Sequence, residues 1–87
     1  MSNADVLDNS PFVKNIIKNK LVELSRVRGS SINDVRKELM SFLDVTSQQY
    51  TRWENNTSQP DLENALKISE FFSEDAKRIF FITKLPG

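Results

Sequence analysis

The sequence predicts an all-α fold made of five short helices joined by brief links. Three observations support this prediction: apolar residues recur every three or four positions, helix-capping residues precede each apolar series, and no segment alternates polar with apolar residues as a half-buried strand does. The 87 residues, 38% of them hydrophobic, suffice for one small core. We expect residues 10–87 to form one domain, and residues 1–9 to be a disordered N-terminus or a remnant of an expression tag.

The first helix is expected to start at Ser10 and Pro11, because serine caps free backbone N–H groups and proline is favoured at the first helical position. Gly29 is expected to end it, because glycine enters the left-handed conformation without steric cost. The predicted inner face between these ends consists of Ile17, Leu21, Leu24 and Val27 or Arg28.

Two further helices follow closely. Ser30 or Ser31 is the predicted N-cap of the second helix, and Thr46 is that of the third. Asp44 lies where the chain should turn between them. The predicted inner faces are Ile32, Val35, Leu39 and Phe42 or Leu43 in the second helix, and Tyr50 and Trp53 in the third.

The last two helices begin after a polar loop at residues 55–59. Pro60 and Asp61 are expected to start the fourth helix, and residues 73–75 to cap a short fifth helix that runs through Phe80. The predicted inner face of the fourth helix consists of Leu62, Leu66, Ile68 or Ser69, and Phe72.

The composition excludes several kinds of function. The chain has no cysteine and no histidine, which rules out disulfides, thiolate or imidazole metal sites and histidine-based catalytic triads. Only two glycines occur, so there is no glycine-rich phosphate loop. No apolar run reaches the roughly 18 residues that cross a bilayer. We expect a cytoplasmic protein with no membrane contact, no metal, no cofactor and no small-molecule ligand.

An enzyme that works with paired carboxylates is the remaining catalytic alternative. Glu74 with Asp75, or Asp61 with Glu63, would supply such a pair. Acids in the first turn of a helix are better explained by their favourable interaction with the helix dipole. We therefore predict that the chain is not an enzyme.

The stretch from Val45 to Asn56 is two-faced when it is read as a helix. Tyr50 and Trp53 lie three apart on one face, where large aromatic side chains belong to a core. The other face carries short or amide side chains and one guanidinium, which suits an approach to base edges better than a merely solvated surface: Gln pairs with adenine, Arg with guanine, and Ser with either. The residues of this face are Ser47, Gln48, Gln49 and Arg52.

From about Leu21 to Ile79 the chain resembles the Cro/C1-type (XRE-like) helix-turn-helix domains of phage repressors and bacterial regulators. Trp53-Glu54-Asn55 followed by Pro60-Asp61-Leu62 is a fairly specific part of this resemblance. It implies a five-helix bundle of the lambda-repressor-like type whose third helix enters the major groove of duplex DNA. It also implies a transcriptional regulator, a repressor in particular, with these DNA-binding residues: Thr46, Ser47, Gln48, Gln49, Arg52, Asn55, Asn56 and Thr57.

The chain departs from the family pattern in spacing and in charge. The segment from Gly29 to Trp53 is about four residues longer than the usual spacing in the family. Four residues is close to one helical turn, so either the second helix or the following turn is enlarged. The family often pairs Glu54 with an arginine at the position of Ser25, so Arg26, Arg28 or Arg36 would have to replace it, or Glu54 stays solvated. Asn56 stands in for a left-handed glycine.

The net charge is zero, with 12 basic and 12 acidic residues, although DNA-binding domains are usually basic. Positive charge is concentrated in residues 12–28, where five basic residues face Glu23 alone: Lys14, Lys18, Lys20, Arg26 and Arg28. Lys14 and Lys18 would share a helical face, either solvated or near a phosphate. Asp44 adds a negative charge beside the expected DNA surface.

The C-terminal region has more apolar residues than one short helix can bury. These are Phe71, Phe72, Phe80, Phe81 and Ile82. An apolar surplus on a small domain marks an interface, and the resemblance implies a homodimer on a two-fold operator. The alternative function is a protein–protein interaction module of the same fold, including the antitoxin type, that binds DNA weakly or not at all.

Overall fold

The computed structural model describes residues 12–83, and within this range the chain forms five helices and a two-stranded antiparallel sheet. The predicted all-α helix-turn-helix fold is confirmed, with the small sheet as an addition. In chain order the elements are β1 (Val13–Asn15), α1 (Ile17–Arg28), α2 (Ile32–Leu43), α3 (Ser47–Glu54), α4 (Leu62–Phe72), α5 (Ala76–Ile79) and β2 (Phe80–Ile82).

The starts of α2, α3 and α4 and the ends of α1 and α2 are set by residues that the sequence indicated. Ser31, Thr46 and Asp61 each accept a hydrogen bond from the backbone N–H three residues further on, at 3.1, 3.2 and 3.0 Å. Gly29 and Asp44 end α1 and α2 with φ of 68° and 56°. These side chains and backbone conformations satisfy N–H and C=O groups that the helices leave unpaired at their ends.

The expected start of the first helix is wrong, and so is the expectation that the chain has no strand. The helix begins at Ile17, and the residues just before it form β1, which pairs with β2 so that Lys14 lies opposite Phe81. Ser10 and Pro11 themselves lie outside the described residues. A three-residue strand is too short to show alternation, and its partner is distant in sequence, so only tertiary pairing reveals it.

One core holds the helices together. Tyr50 and Trp53, at 1% and 3% exposure, bring the inner face of α3 into it, as the sequence predicted. The sequence left open whether Phe42 or Leu43 completes the inner face of α2. Leu43 is the buried one, and Phe42 is half exposed. The buried cluster consists of Ile17, Leu21, Val35, Leu39, Leu43, Tyr50, Trp53, Ile68 and Ile79.

The predicted inner face of α4 is partly wrong. Leu62 and Leu66 are 75% and 52% exposed, whereas Ile68 is fully buried. The apolar residues of α4 lie on two sides of the helix, and only the side of Ile68 packs against the cluster. Asp75 caps the short α5 by accepting from the N–H of Lys77, which confirms the predicted start of that helix.

Candidate nucleic-acid interface

Helices α2 and α3 form a helix-turn-helix unit with a connection of three residues, Asp44 to Thr46. Asp44 adopts the left-handed conformation, and Thr46 is extended and caps α3. Because the turn is this short and α2 has 12 residues, the extra length relative to the family spacing lies in the second helix. The unit therefore keeps a tight turn, and α2 buries Val35, Leu39 and Leu43.

The outer face of α3 is a continuous polar surface. Ser47, Gln48, Thr51 and Arg52 are exposed and together line a shallow, open depression. At 100° per residue, Gln48 lies almost opposite the Tyr50–Trp53 side of the helix. The residues of this surface can donate to and accept from base edges, with side chains of different length.

Two details of this face differ from the sequence interpretation. Gln49 is exposed but lies outside the depression, because its helical position places it next to the buried side of α3. Thr51 was not among the predicted site residues, yet it lies beside Ser47 on the outer face. The spacing of four residues between Ser47 and Thr51 is the signal that could have found it.

The inner face of α3 is fixed by a polar network around Glu54. The Glu54 carboxylate accepts hydrogen bonds from Arg36 Nε at 2.9 Å, from Arg36 Nη2 at 3.0 Å and from the Tyr50 hydroxyl at 2.9 Å. The Glu54 side chain is only 9% exposed. Of the three arginines considered as its partner, Arg36 is therefore the one used. A bidentate pair of this kind fixes orientation as well as distance, so it ties α3 to α2.

The protonation states of this network follow from its contacts. Burial would raise the pKa of Glu54, but the hydrogen bonds from Arg36 and Tyr50 outweigh burial and hold its pKa below the ordinary value. The hydrogen bond to Glu54 raises the pKa of Arg36, while burial and then the Glu54 hydrogen bond raise the pKa of Tyr50. At neutral pH the network is an ion pair with a neutral phenol.

The N-terminus of α3 is suited to an anion. Thr46 accepts from the N–H of Gln49, and among the described residues the N–H groups of Ser47 and Gln48 have no partner. The first turn of α3 carries no acidic residue, unlike those of α2 and α4, which carry Asp34 and Glu63. Free N–H groups and the helix dipole favour a phosphate at such an end.

The loop that follows α3 presents two of its three predicted DNA-binding residues outward. Asn55 and Thr57 are exposed. Asn56 has φ of 61°, which confirms the predicted left-handed conformation, but its carboxamide is hydrogen bonded to Asn15. Of the eight predicted site residues, Asn56 is thus the one whose side chain is turned towards the protein.

The basic segment is partly neutralised by internal partners. Lys20 pairs with Glu23 and Glu74, and Arg28 pairs with Glu38 at 2.8 Å while lying over the Phe71 ring. The remaining basic residues of the segment form no ion pair within the described range; Lys18 and Arg26 are exposed and Lys14 is half-buried. Lys14 lies on β1, so the expectation that it shares a helical face with Lys18 is wrong.

The first turn of α1, which carries Lys18, begins beside the C-terminal end of α3, because Asn15 hydrogen bonds both to the N–H of Ile17 and to the carbonyl oxygen of Trp53. The charge of Lys18 contributes to lowering the pKa of Glu54. Lys18 and Arg52 are both exposed, and neither forms an ion pair within residues 12–83.

A tight helix-turn-helix with a buried inner face and an exposed polar face on its second helix is the architecture of helix-turn-helix DNA-binding domains. The family model described as "Helix-turn-helix" matches residues 29–77, more than half of the chain, with α1 outside the match. The chain belongs to the Cro/C1-type, XRE-like helix-turn-helix family, a family of DNA-binding transcription regulators. No curated protein and no solved structure matches the chain significantly.

Other kinds of site have little support in residues 12–83. Within that range no helix combines the length and apolar character needed to cross a membrane. The same range holds no group of three or more acidic, histidine or cysteine residues that would bind a metal ion.

Proposed function

We propose that this chain is a repressor that acts in the cytoplasm and recognises a specific duplex DNA sequence with α3 in the major groove. The observation that carries the proposal is the outer face of α3, where Gln48, Arg52 and their short neighbours are exposed on a helix whose opposite side is buried. A rigid helix with free polar side chains is what base-edge recognition requires.

Each part of the interface has a role in this proposal. Gln48 and Arg52 contact base edges, and Ser47 and Thr51 are short enough to let the helix approach closely. Thr46 and the first N–H groups of α3 hold one phosphate, and Asn55 and Thr57 lie against the backbone beyond the other end of α3. Gln49 contacts the edge of the groove. Repression follows from occupancy, since a protein in the major groove excludes polymerase.

We further propose that two copies bind a two-fold operator through the C-terminal apolar residues. Phe81 and Ile82 on β2 are 39% and 61% exposed, which is unusual for large apolar side chains on a small domain. A dimer doubles the phosphate contacts, which offsets the neutral charge of a single chain. Its half-sites would lie about one helical turn, 34–36 Å, apart.

Selection from a pool of random duplex DNA, followed by sequencing, tests the proposal. We expect an enriched palindrome with half-sites about one helical turn apart. Replacement of Gln48 with Ala should weaken binding to the enriched duplex by about 1–3 kcal/mol and relax the base preference at one position. A folded protein that enriches no sequence would contradict the proposal, and a Gln48→Ala variant that binds like the parent would show that another surface reads the bases.

A protein–protein interaction module, including the antitoxin type, is the second candidate. It is favoured by the zero net charge and by Asp44, which is exposed in the turn before α3. The dependence on salt separates the two functions. Groove binding that neutralises several phosphates weakens steeply as salt rises, whereas an apolar protein interface does not.

A further inference from the structure

Asn15, the last residue of β1, is an unusual member of the interior. It is 5% exposed, and Ser25 is the other buried polar residue in the described part of the chain. A buried carboxamide is stabilising only when its polar atoms are hydrogen bonded. Asn15 meets this condition through contacts to the start of α1, to α3 and to the loop after α3.

The Asn15 carboxamide joins three parts of the fold. Its Nδ2 donates to the carbonyl oxygen of Trp53 at 2.8 Å and to Oε1 of Gln59 at 2.8 Å. Its Oδ1 accepts from the backbone N–H of Ile17 at 3.0 Å, which compensates for the lack of a capping side chain at Ile16. One side chain thus links the start of α1, the last turn of α3 and the end of the loop.

Asn56 completes the arrangement from the loop side. Its Oδ1 accepts from the backbone N–H of Asn15 at 2.8 Å, and its Nδ2 donates to the backbone carbonyl of Asn15 at 3.1 Å. On the side of β1 away from β2, the Asn56 carboxamide thus makes the same two hydrogen bonds with the backbone of Asn15 that a residue of an adjacent strand would make. Gln59 Nε2 donates to Asn56 Oδ1 at 3.0 Å and closes the set. We call Asn15, Asn56 and Gln59 the amide clamp.

The clamp determines the position of the loop that carries Asn55 and Thr57. The N–H groups of Thr57 and Ser58 bond to the carbonyl of Arg52, at 2.9 and 3.3 Å, which holds the loop to α3 only. The clamp attaches the same loop to β1 and α1. An attached loop loses less conformational entropy when it meets a phosphate than a free one does.

We propose that Asn15 is a positioning residue for DNA binding, which acts through the amide clamp to hold the loop after α3 against α1 so that Asn55 and Thr57 face the DNA backbone. This inference rests on the proposed function. The β1 segment lies outside the family match at residues 29–77. The inference gives this segment a role in DNA binding. Asn56 contributes through Asn15 rather than through its own side chain on DNA.

Asn56→Gly is the variant that tests the clamp with least disturbance. Glycine keeps the left-handed conformation and removes the carboxamide. Ser73→Gly is the matched control, because Ser73 is also left-handed, with φ of 53°, and its side chain forms no hydrogen bond within residues 12–83. Affinity would be measured by fluorescence anisotropy with the duplex enriched from the random pool, or with a mixed-sequence duplex if none is enriched. Amide hydrogen exchange would be followed by NMR under conditions where circular dichroism shows every variant folded.

We expect Asn56→Gly to bind about tenfold more weakly than the parent, because phosphate contacts of the loop are lost. Exchange at Thr57 and Ser58 should accelerate while core amides of α1 and α2 stay protected, a local effect that a general loss of stability would not produce. Ser73→Gly should change neither quantity. Gln59→Ala should weaken DNA binding less in the Asn56→Gly background than in the parent, because both residues belong to one clamp.

The two possible failures are distinguishable. If the parent binds DNA and the Asn56→Gly variant binds it equally tightly, the proposed role of the clamp in DNA binding is overturned and the proposed function remains intact. Unchanged exchange at Thr57 and Ser58 would overturn that role of the clamp as well. A parent that binds no duplex, while the loop amides still exchange faster in Asn56→Gly, would overturn the proposed function and with it the DNA role of Asn15.

Discussion

The two faces of α3 are built from different chemistry although they belong to one helix of eight residues. On the inner face Tyr50 and Trp53 are buried, and Glu54 is held by Arg36 and by Tyr50 itself. On the outer face Gln48 and Arg52 are exposed and have no ion pair or side-chain hydrogen bond within residues 12–83. Among the described residues no fully buried side-chain nitrogen or oxygen lacks a hydrogen-bond partner, whereas the outer face of α3 leaves its polar groups available.

This difference separates stability from recognition along one element. A side chain that is already hydrogen bonded contributes to the fold and has little left to offer a ligand. A side chain that is free contributes little to the fold, so it can be changed without unfolding the domain. Substitutions on the inner face of α3 should therefore lower the stability of the domain, whereas substitutions on the outer face should lower its affinity for DNA and leave stability unchanged. The following predictions test this difference from the largest effect to the smallest.

Trp53→Ala should destabilise the domain by about 3–5 kcal/mol, because it removes a large aromatic side chain from a thin core. A domain of this size has little stability in reserve, so we expect the variant to be largely unfolded. Thermal unfolding followed by circular dichroism measures this. A variant that melts like the parent would show that Trp53 is not part of the core and that the two faces of α3 are not distinct.

Glu54→Gln should destabilise by about 2 kcal/mol at neutral pH, because Arg36 loses its bidentate partner. The folded state lowers the pKa of Glu54 below its ordinary value of 4.5, so the stabilisation by Glu54 is complete above that pH and is lost as the pH falls below it. Urea unfolding at neutral and acidic pH should show the parent and the variant converging in acid. A gap that is the same at both pH values would contradict the role of the ion pair.

Arg52→Ala should weaken binding to the enriched duplex by about 1–3 kcal/mol and change the free energy of unfolding by less than about 0.5 kcal/mol. Lys77→Ala is the matched control, because Lys77 is exposed on α5, which packs against α4 and β2. The control should bind like the parent. Equal losses in both variants would indicate general electrostatic attraction rather than base recognition by α3.

Lys18→Ala should have a smaller, sequence-independent effect on binding. If Lys18 contacts one phosphate, the slope of log affinity against log salt concentration should fall by about 0.9. Binding titrations at several salt concentrations measure this slope, and the enriched duplex and a scrambled duplex should lose affinity alike. An unchanged slope would place Lys18 away from the DNA.

Leu62→Ala should have the smallest effect, below about 0.5 kcal/mol on stability, because Leu62 is on the outer side of α4. Ile68→Ala in the same helix should cost about 2–5 kcal/mol. Urea unfolding of both variants shows whether α4 is divided into two faces as α3 is. A large loss in Leu62→Ala would mean that something covers this side of α4 in solution, a second copy of the chain included.

Local signals in the sequence were sufficient for the starts of α2, α3 and α4 and for the two faces of α3, but not for the start of α1. The caps at Ser31, Thr46 and Asp61 bond to backbone groups three residues away, so their types alone predicted the helix starts. The same holds for the aromatic pair on the inner side of α3, whose spacing places both on one face. The outer face of α3 was predicted in the same way, apart from Gln49, which lies beside it, and Thr51, which belongs to it.

Contacts between distant segments escaped the sequence. Arg36 bonds to Glu54 across 18 residues, and Asn15 bonds to Gln59 across 44. Arg26, Arg28 and Arg36 were all open as partners for Glu54 from the sequence alone. Nothing in the sequence around Asn15 distinguishes it from a surface asparagine. On α4, Leu62 and Ile68 are both apolar, and only the packing of the other helices decides which one is buried.

The sequence by itself determined the helical class, the position of the helix-turn-helix and the polar surface of α3, because helical periodicity and capping depend on residues within one or two turns of each other. The tertiary structure alone decided the strand before α1, the partner of Glu54, the exposed side of α4 and the amide clamp. These features depend on which segments meet in space, and a side chain's type does not state which distant group it will meet.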